Sequence, residues 1–403
     1  MVVDNVVVKS FASSGAREIA VVSFVGMLMG AAVVVGYIAA QPSPCCGDKK
    51  PYASIFQEPL SRLDVVLGSG DGQSFDVLAQ DPLLQRPSVI ADQADFAYRA
   101  QRPMWGYLAW IGSAGQRQLA GGVLAVMTVL SCAGACAVAA MLLVQRGRSP
   151  WWALVIPVAG FETLTELTPE FLALSFVAVG ILLWQRDRRV AAVVAFTAAT
   201  LTRETMLIAI AALMCWELVH HLGPIRTRVL RITPLVAPLG AYLVWIGILR
   251  LRLGNWPFNR SQDRLSLPGS GLLAGLQEPH YRAAILIWVA LGVGLCAASI
   301  AYARHDVLAW IAIAFGLFGS LLGSDVWVTD AGYQRTLVPL YAFAAIAIVG
   351  SVKSVKIARR TPTHADHHTK MRSEPHTATS TPPILPERPE PRRPDRRSPA
   401  EVT

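Results

Sequence analysis

The stretch LAGGVLAVMTVLSCAGACAVAAMLLV, residues 119–144, holds no charged side chain and is followed at once by QRGR, which brings Arg146 and Arg148. A run of this kind exceeds the roughly 20 apolar residues that carry an α-helix across a bilayer core about 30 Å thick. Working outward from it, comparable runs recur from Ile19 to Val352. The expected spans are Ile19–Ala40, Leu119–Val144, Trp151–Leu167, Phe171–Trp184 and Val190–Leu201, then Met206–Val219, Pro234–Ile248, Ala283–Ala303, Val307–Gly323 and Thr336–Val352. The fold class that follows is all-α, a polytopic membrane helical bundle of about ten spans with a long first outer loop. The third to sixth runs are short for a helix rising 1.5 Å per residue. Either their turns sit below the membrane surface inside the bundle, or the helices extend further. Val190–His221 also reads as one long tilted helix, which would invert everything after it. Met104–Ile111 is too short to cross and reads as an interfacial helix.

Composition agrees. Hydrophobic residues make up 53% of the chain and charged ones 16%, with mean hydropathy +0.43. Soluble proteins carry about 25% charged residues. The net charge of +9 could point to nucleic acid, but its distribution does not. Basic residues sit in short clusters beside apolar runs: Arg146 and Arg148; Arg186, Arg188 and Arg189; Arg226, Arg228 and Arg231; Lys353, Lys356, Arg359 and Arg360. That is the positive-inside pattern of cytoplasmic loops. No stripe of interleaved aromatic and basic residues supports nucleic-acid binding. Cys132, Cys136, Cys215 and Cys296 lie in apolar runs and read as small hydrophobes, while the adjacent Cys45 and Cys46 are a poor disulfide pair.

The organisation read from this pattern is a cytoplasmic N-terminal segment (1–18), a membrane domain (19–352) with its outer loop at 41–118, and a cytoplasmic tail (353–403). The tail is rich in Pro, Thr, Arg and Glu without apolar periodicity, so it is expected to be disordered. Its His364, His367, His368 and His376 have no fixed spacing that argues for a metal. Ten spans leave both termini inside. They put Asp71, Asp76, Asp81, Asp92, Asp95, Arg99 and Arg102 on the outer face, together with Glu162, Glu166, Glu170, Arg203, Glu204, Asp325, Asp330 and Arg335. Charge beside apolar helices is costly unless paired or used. An aspartate can act as a general base or hold a divalent cation such as magnesium or manganese, and arginine can clamp a phosphate. The bland alternative is loop solvation for Asp92, Asp95 and Asp330, and plain structural pairing for Arg203 and Glu204.

Several motifs carry a resemblance. Asp71-Gly72-Gln73-Ser74-Phe75, with Leu78-Ala79 and Asp81-Pro82 behind it, resembles the first-loop signature of bacterial multi-spanning proteins linked to cell-surface glycopolymers. Tyr98-Arg99-Ala100-Gln101-Arg102-Pro103, Leu201-Thr202-Arg203-Glu204-Thr205, and Gln334-Arg335 with Pro339-Leu340-Tyr341 are similar to further motifs of that family. Those proteins resemble the GT-C class of glycosyltransferases, which use polyprenyl-phosphate sugars. The resemblance implies Asp71 as catalytic base. It implies Gln73, Asp81, Arg99, Arg102, Arg203, Glu204 and Arg335 as substrate-binding residues, and a bacterial inner-membrane location with the active face outside. The implied partners are a lipid-linked sugar donor, membrane lipids and an envelope glycan or lipid acceptor. The chain departs from the pattern at Ser69-Gly70 and Ser74, where aromatics are common. Two rival classes are a transporter or flippase of lipid-linked saccharide and a non-catalytic subunit of an envelope-assembly complex.

Overall fold

A computed structural model describes residues 3–41, 61–67, 72–85, 93–258, 264–328 and 332–360 of the chain. It begins with helix α1 (Val3–Ala40), which reaches back past the expected start at Ile19. The long first loop carries helices of its own: α2 (Arg62–Leu67), α3 (Gly72–Gln80), α4 (Gln93–Arg99) and α5 (Pro103–Gly112). The opening stretch lies within one unbroken helix, α6 (Arg117–Gln145). A 3-10 turn (Pro150–Leu154), α7 (Val155–Ala159) and α8 (Phe161–Thr165) lead to α9 (Glu170–Gln185), α10 (Arg189–Thr202) and α11 (Met206–His220). Helix α12 (Ile225–Ile232) passes through a 3-10 turn (Thr233–Val236) into α13 (Ala237–Leu253). The last elements are α14 (Ser270–Gln277), α15 (Arg282–Ala303), α16 (Val307–Ser320), α17 (Ser324–Trp327) and α18 (Gly332–Arg360).

Among the described residues, five helices are long and apolar enough to cross a membrane: Gly15–Ala40, Arg117–Gln145, Ile225–Leu253, Arg282–Ala303 and Gly332–Ser351. Shorter apolar helices of 10–17 residues accompany them. The protein is an all-α, multi-pass membrane helical bundle.

Small residues set the closest packing. Gly26 and Gly30 lie one turn apart on α1 and face Cys136 and Cys132 of α6. A Cβ on Gly26 would stand 2.6 Å from Cys136 Sγ, so only glycine permits this approach. This is the small-residue seam by which helices associate in lipid, where no hydrophobic drive separates helix from solvent. The Ser23 hydroxyl donates across the same seam to the Ala133 carbonyl at 3.0 Å. On the far side of α1, Phe24, Leu28 and Val35 are exposed, as a lipid-facing surface requires. Helices α9 and α10 run antiparallel along each other, with Phe196 seated against Gly180.

Three expectations need correction. The run Trp151–Leu167 is not one helix; Pro157 removes a backbone donor within it, and Gly160 ends α7 where the Phe171 ring crowds it. The run Pro234–Ile248 is only the middle of a longer helical segment, Ile225–Leu253. The single-helix alternative for Val190–His221 fails, because α10 stops at Thr202 and α11 starts at Met206. Helix α18 also continues past Val352 to Arg360.

Helices of the first loop are docked. A second core joins Val77, Leu78, Leu84, Phe96 and Ala97 to Tyr242, Trp245 and Leu249 of α13. Tyr242 donates its hydroxyl to Gln101 Oε1, and Trp245 Nε1 donates to the Ala100 carbonyl at 2.8 Å.

Candidate functional site

Arg102 immediately precedes α5, whose first residue is Pro103, a position where the missing proline amide costs nothing. Arg203 adopts extended backbone (φ −152°, ψ 118°), which ends α10 and opens the short connection to α11. Glu166 follows α8 and Glu170 opens α9, where a carboxylate suits the positive end of the helix dipole. Arg335 lies in the first turn of α18.

Tertiary packing turns these four segments into a chain of ion pairs. Arg102 grips Glu204 through two bonds, Nε to Oε2 at 2.7 Å and Nη2 to Oε1 at 2.8 Å. Arg203, the neighbour of Glu204, donates from Nη1 to Glu170. One turn of chain before Glu170, Glu166 accepts from Arg335 Nη1. Arg203 and Glu170 are both buried, at 5% and 1% side-chain exposure, whereas Glu166 and Glu204 are about one-fifth exposed. Glu170 Oε2 is also buried and has no hydrogen-bond partner among the described residues. The pairs thus run from a sealed centre to an accessible edge.

The helices explain why charge must be paired here. With 16, 14 and 15 residues, α9, α10 and α11 span only about 21–24 Å each. That is less than the hydrocarbon thickness, so their connecting turns stand no further out than the interface, where lone charge is costly. Burial would raise the Glu204 carboxyl, but the Arg102 charge and its two hydrogen bonds outweigh it and hold the group at about 2.

Backbone strain fixes the carboxylate turn. Leu167 is a non-glycine residue at φ +54°, and the amide of Thr168 closes the turn on the Thr163 carbonyl at 3.1 Å. Such a conformation costs on the order of 1–3 kcal/mol and persists only when surroundings over-determine it. Here the Leu167 side chain is buried and its carbonyl accepts from Trp105 Nε1 of α5 at 3.2 Å.

The other sequence-derived site residues divide. Asp71 lies outside the described residues, as do Asp92, Asp330, Cys45, Cys46 and the tail histidines. Gln73 is on α3, and Arg99 closes α4, half-buried. Asp81 follows α3 and accepts the Gln85 amide at 3.0 Å, a turn-stabilising role. Its charge, after burial, helps push the Tyr107 phenol up. Arg102, Arg203, Glu204 and Arg335 come together through the ion pairs. Sequence reasoning left Glu166 and Glu170 out of the site. The signal was present, since acidic residues between two apolar runs need a cationic partner. Among the described residues, no group of three or more His, Cys, Asp or Glu side chains is placed to hold a metal ion.

A second polar layer closes the other end of the bundle. Arg146 pairs with Asp306 at 3.1 Å. Glu217, buried on α11, accepts from Trp184 Nε1 at 2.5 Å and pairs with Arg231 at 2.8 Å. Arg146 and Arg231 therefore lie at the end opposite Arg203 and Arg335. The chain matches no protein-family model, no curated protein and no solved structure.

Proposed function

We propose that the chain is an integral membrane glycosyltransferase of GT-C type. It moves a sugar from a polyprenyl-phosphate carrier to a cell-envelope glycan or lipid acceptor. In this reading the long and short apolar helices together make ten spans, both termini are cytoplasmic, and the active face is the periplasmic or extracellular side of a bacterial inner membrane. One observation supports it: Arg102, Arg203 and Arg335, each from a motif resembling that class, are linked through Glu204, Glu170 and Glu166.

Asp71 takes the proton from an acceptor hydroxyl as its oxygen attacks the anomeric carbon, and the carrier leaves as polyprenyl phosphate with inversion. Negative charge grows on the phosphate oxygens, and guanidinium groups oppose it. A guanidinium has five donors, so Arg335, toward the accessible edge, can hold Glu166 through Nη1 and still have the chemistry to take a phosphate oxygen. Gln73, Asp81 and Arg99 are further substrate-binding residues in this scheme.

A non-catalytic or transporting role draws on the same pairs, because each of the three arginines already holds a carboxylate. The experiment is transfer by the purified protein from a panel of polyprenyl-phosphate sugars to envelope-derived acceptors. Transfer supports the enzyme. Absence of transfer across a controlled panel, with saccharide crossing sealed vesicles, supports the transporter.

A further inference from the structure

At the end of the bundle opposite the Arg203 pairs, the connection between α15 and α16 is held by two indoles. Trp216 Nε1 of α11 donates to the His305 carbonyl at 3.1 Å, and Trp310 Nε1 donates to the Arg304 carbonyl at 2.9 Å. His220 stacks on Trp216 at 5.4 Å between ring centroids and meets the Trp310 and His305 rings edge-on. The backbone of this corner is thus fixed while its side chains stay at the surface. Arg304 is exposed and donates from Nε to His305 Nε2 at 3.2 Å.

The corner has surplus positive charge. Asp306 is engaged by Arg146, Glu217 by Arg231 and Asp187 by Arg189, whereas among the described residues Arg304 has no carboxylate partner. Its flanks are apolar: Val219 and Leu222 on one side, Ile300 and Tyr302 on α15, all well exposed. An exposed guanidinium on a corner whose backbone two indoles hold, with apolar surface beside it, matches an anionic headgroup at the interface with acyl chains along the spans. A soluble anion would use the charge and leave the apolar flanks without a role.

We infer that this corner binds the headgroup of an acidic glycerophospholipid, with Arg304 against the phosphodiester and Trp216 and Trp310 at the glycerol level. The test is native mass spectrometry of the full chain from mixed micelles containing phosphatidylglycerol and phosphatidylcholine of matched acyl chains. Phosphatidylglycerol should be retained preferentially, and Arg304→Gln should reduce that preference about fivefold, the effect of one arginine near a charged surface. Arg304→Lys should keep most of it. Arg188→Gln, an exposed arginine of the α9–α10 connection, should change little. Equal retention of the two lipids would overturn the assignment. So would an equal loss in Arg188→Gln, which means diffuse surface charge, or loss of retention in millimolar inorganic phosphate, which means a soluble-anion site.

Discussion

Arg203 and Glu170, 33 positions apart in the chain, form a buried ion pair that ties the α10–α11 connection to the first residue of α9. The pair joins two turns that the apolar pattern leaves as unrelated breaks. It also brings Glu204 and Glu166 near each other, and with them Arg102 and Arg335.

Removing one partner leaves the other as uncompensated buried charge. Arg203→Ala should therefore lower stability by about 3–5 kcal/mol, and Glu170→Ala by a similar amount. The double variant Arg203→Met with Glu170→Leu should recover most of the loss, because well-packed apolar residues replace buried pairs at little cost. Denaturant unfolding in detergent micelles measures all three. Additive losses in the double variant would contradict the pairing.

Glu204 supplies a pH dependence with a definite sign. Its folded-state carboxyl is held at about 2, below the ordinary glutamate value of about 4.3. The contribution to stability is complete at neutral pH and disappears as pH falls through the range from about 4 to about 2. Glu204→Gln should flatten the stability profile across that window. An unchanged profile would show that the Arg102 pair contributes nothing to the acid response.

The seam between α1 and α6 makes a packing prediction. Gly26→Val must push Cys136 aside and should cost about 1–3 kcal/mol. Gly36→Val, with nothing within 4 Å of its Cβ, serves as the control and should be close to neutral. Thermal unfolding of both variants gives the comparison.

How much of this was legible in the sequence depends on the range of the interaction. The run at residues 119–144 and the interfacial piece near Met104–Ile111 are local, and both correspond to helices, α6 and α5. The Arg203 break was legible for a related reason, since charge interrupts apolar periodicity. The partners of the arginines were not. Glu204 lies 102 positions from Arg102 and Glu166 lies 169 from Arg335, and no periodic signal links such distances. The run Trp151–Leu167 misled because hydrophobicity alone does not distinguish a continuous helix from pieces divided by proline and glycine. The docking of Val77, Leu78, Phe96 and Ala97 on α13 depends on Tyr242 and Trp245, whose phenol and indole groups read only as span residues until their partners are known.

The proposed activity is sugar transfer with Asp71 as the base. Its most direct measurement is the rate of transfer by purified Asp71→Asn relative to the unchanged protein, with the donor and acceptor that the panel identifies. Asparagine keeps the size of the side chain but cannot accept the proton, so the rate should fall about 10²–10⁴-fold while membrane insertion and unfolding stay unchanged. Full transfer by Asp71→Asn would contradict the account.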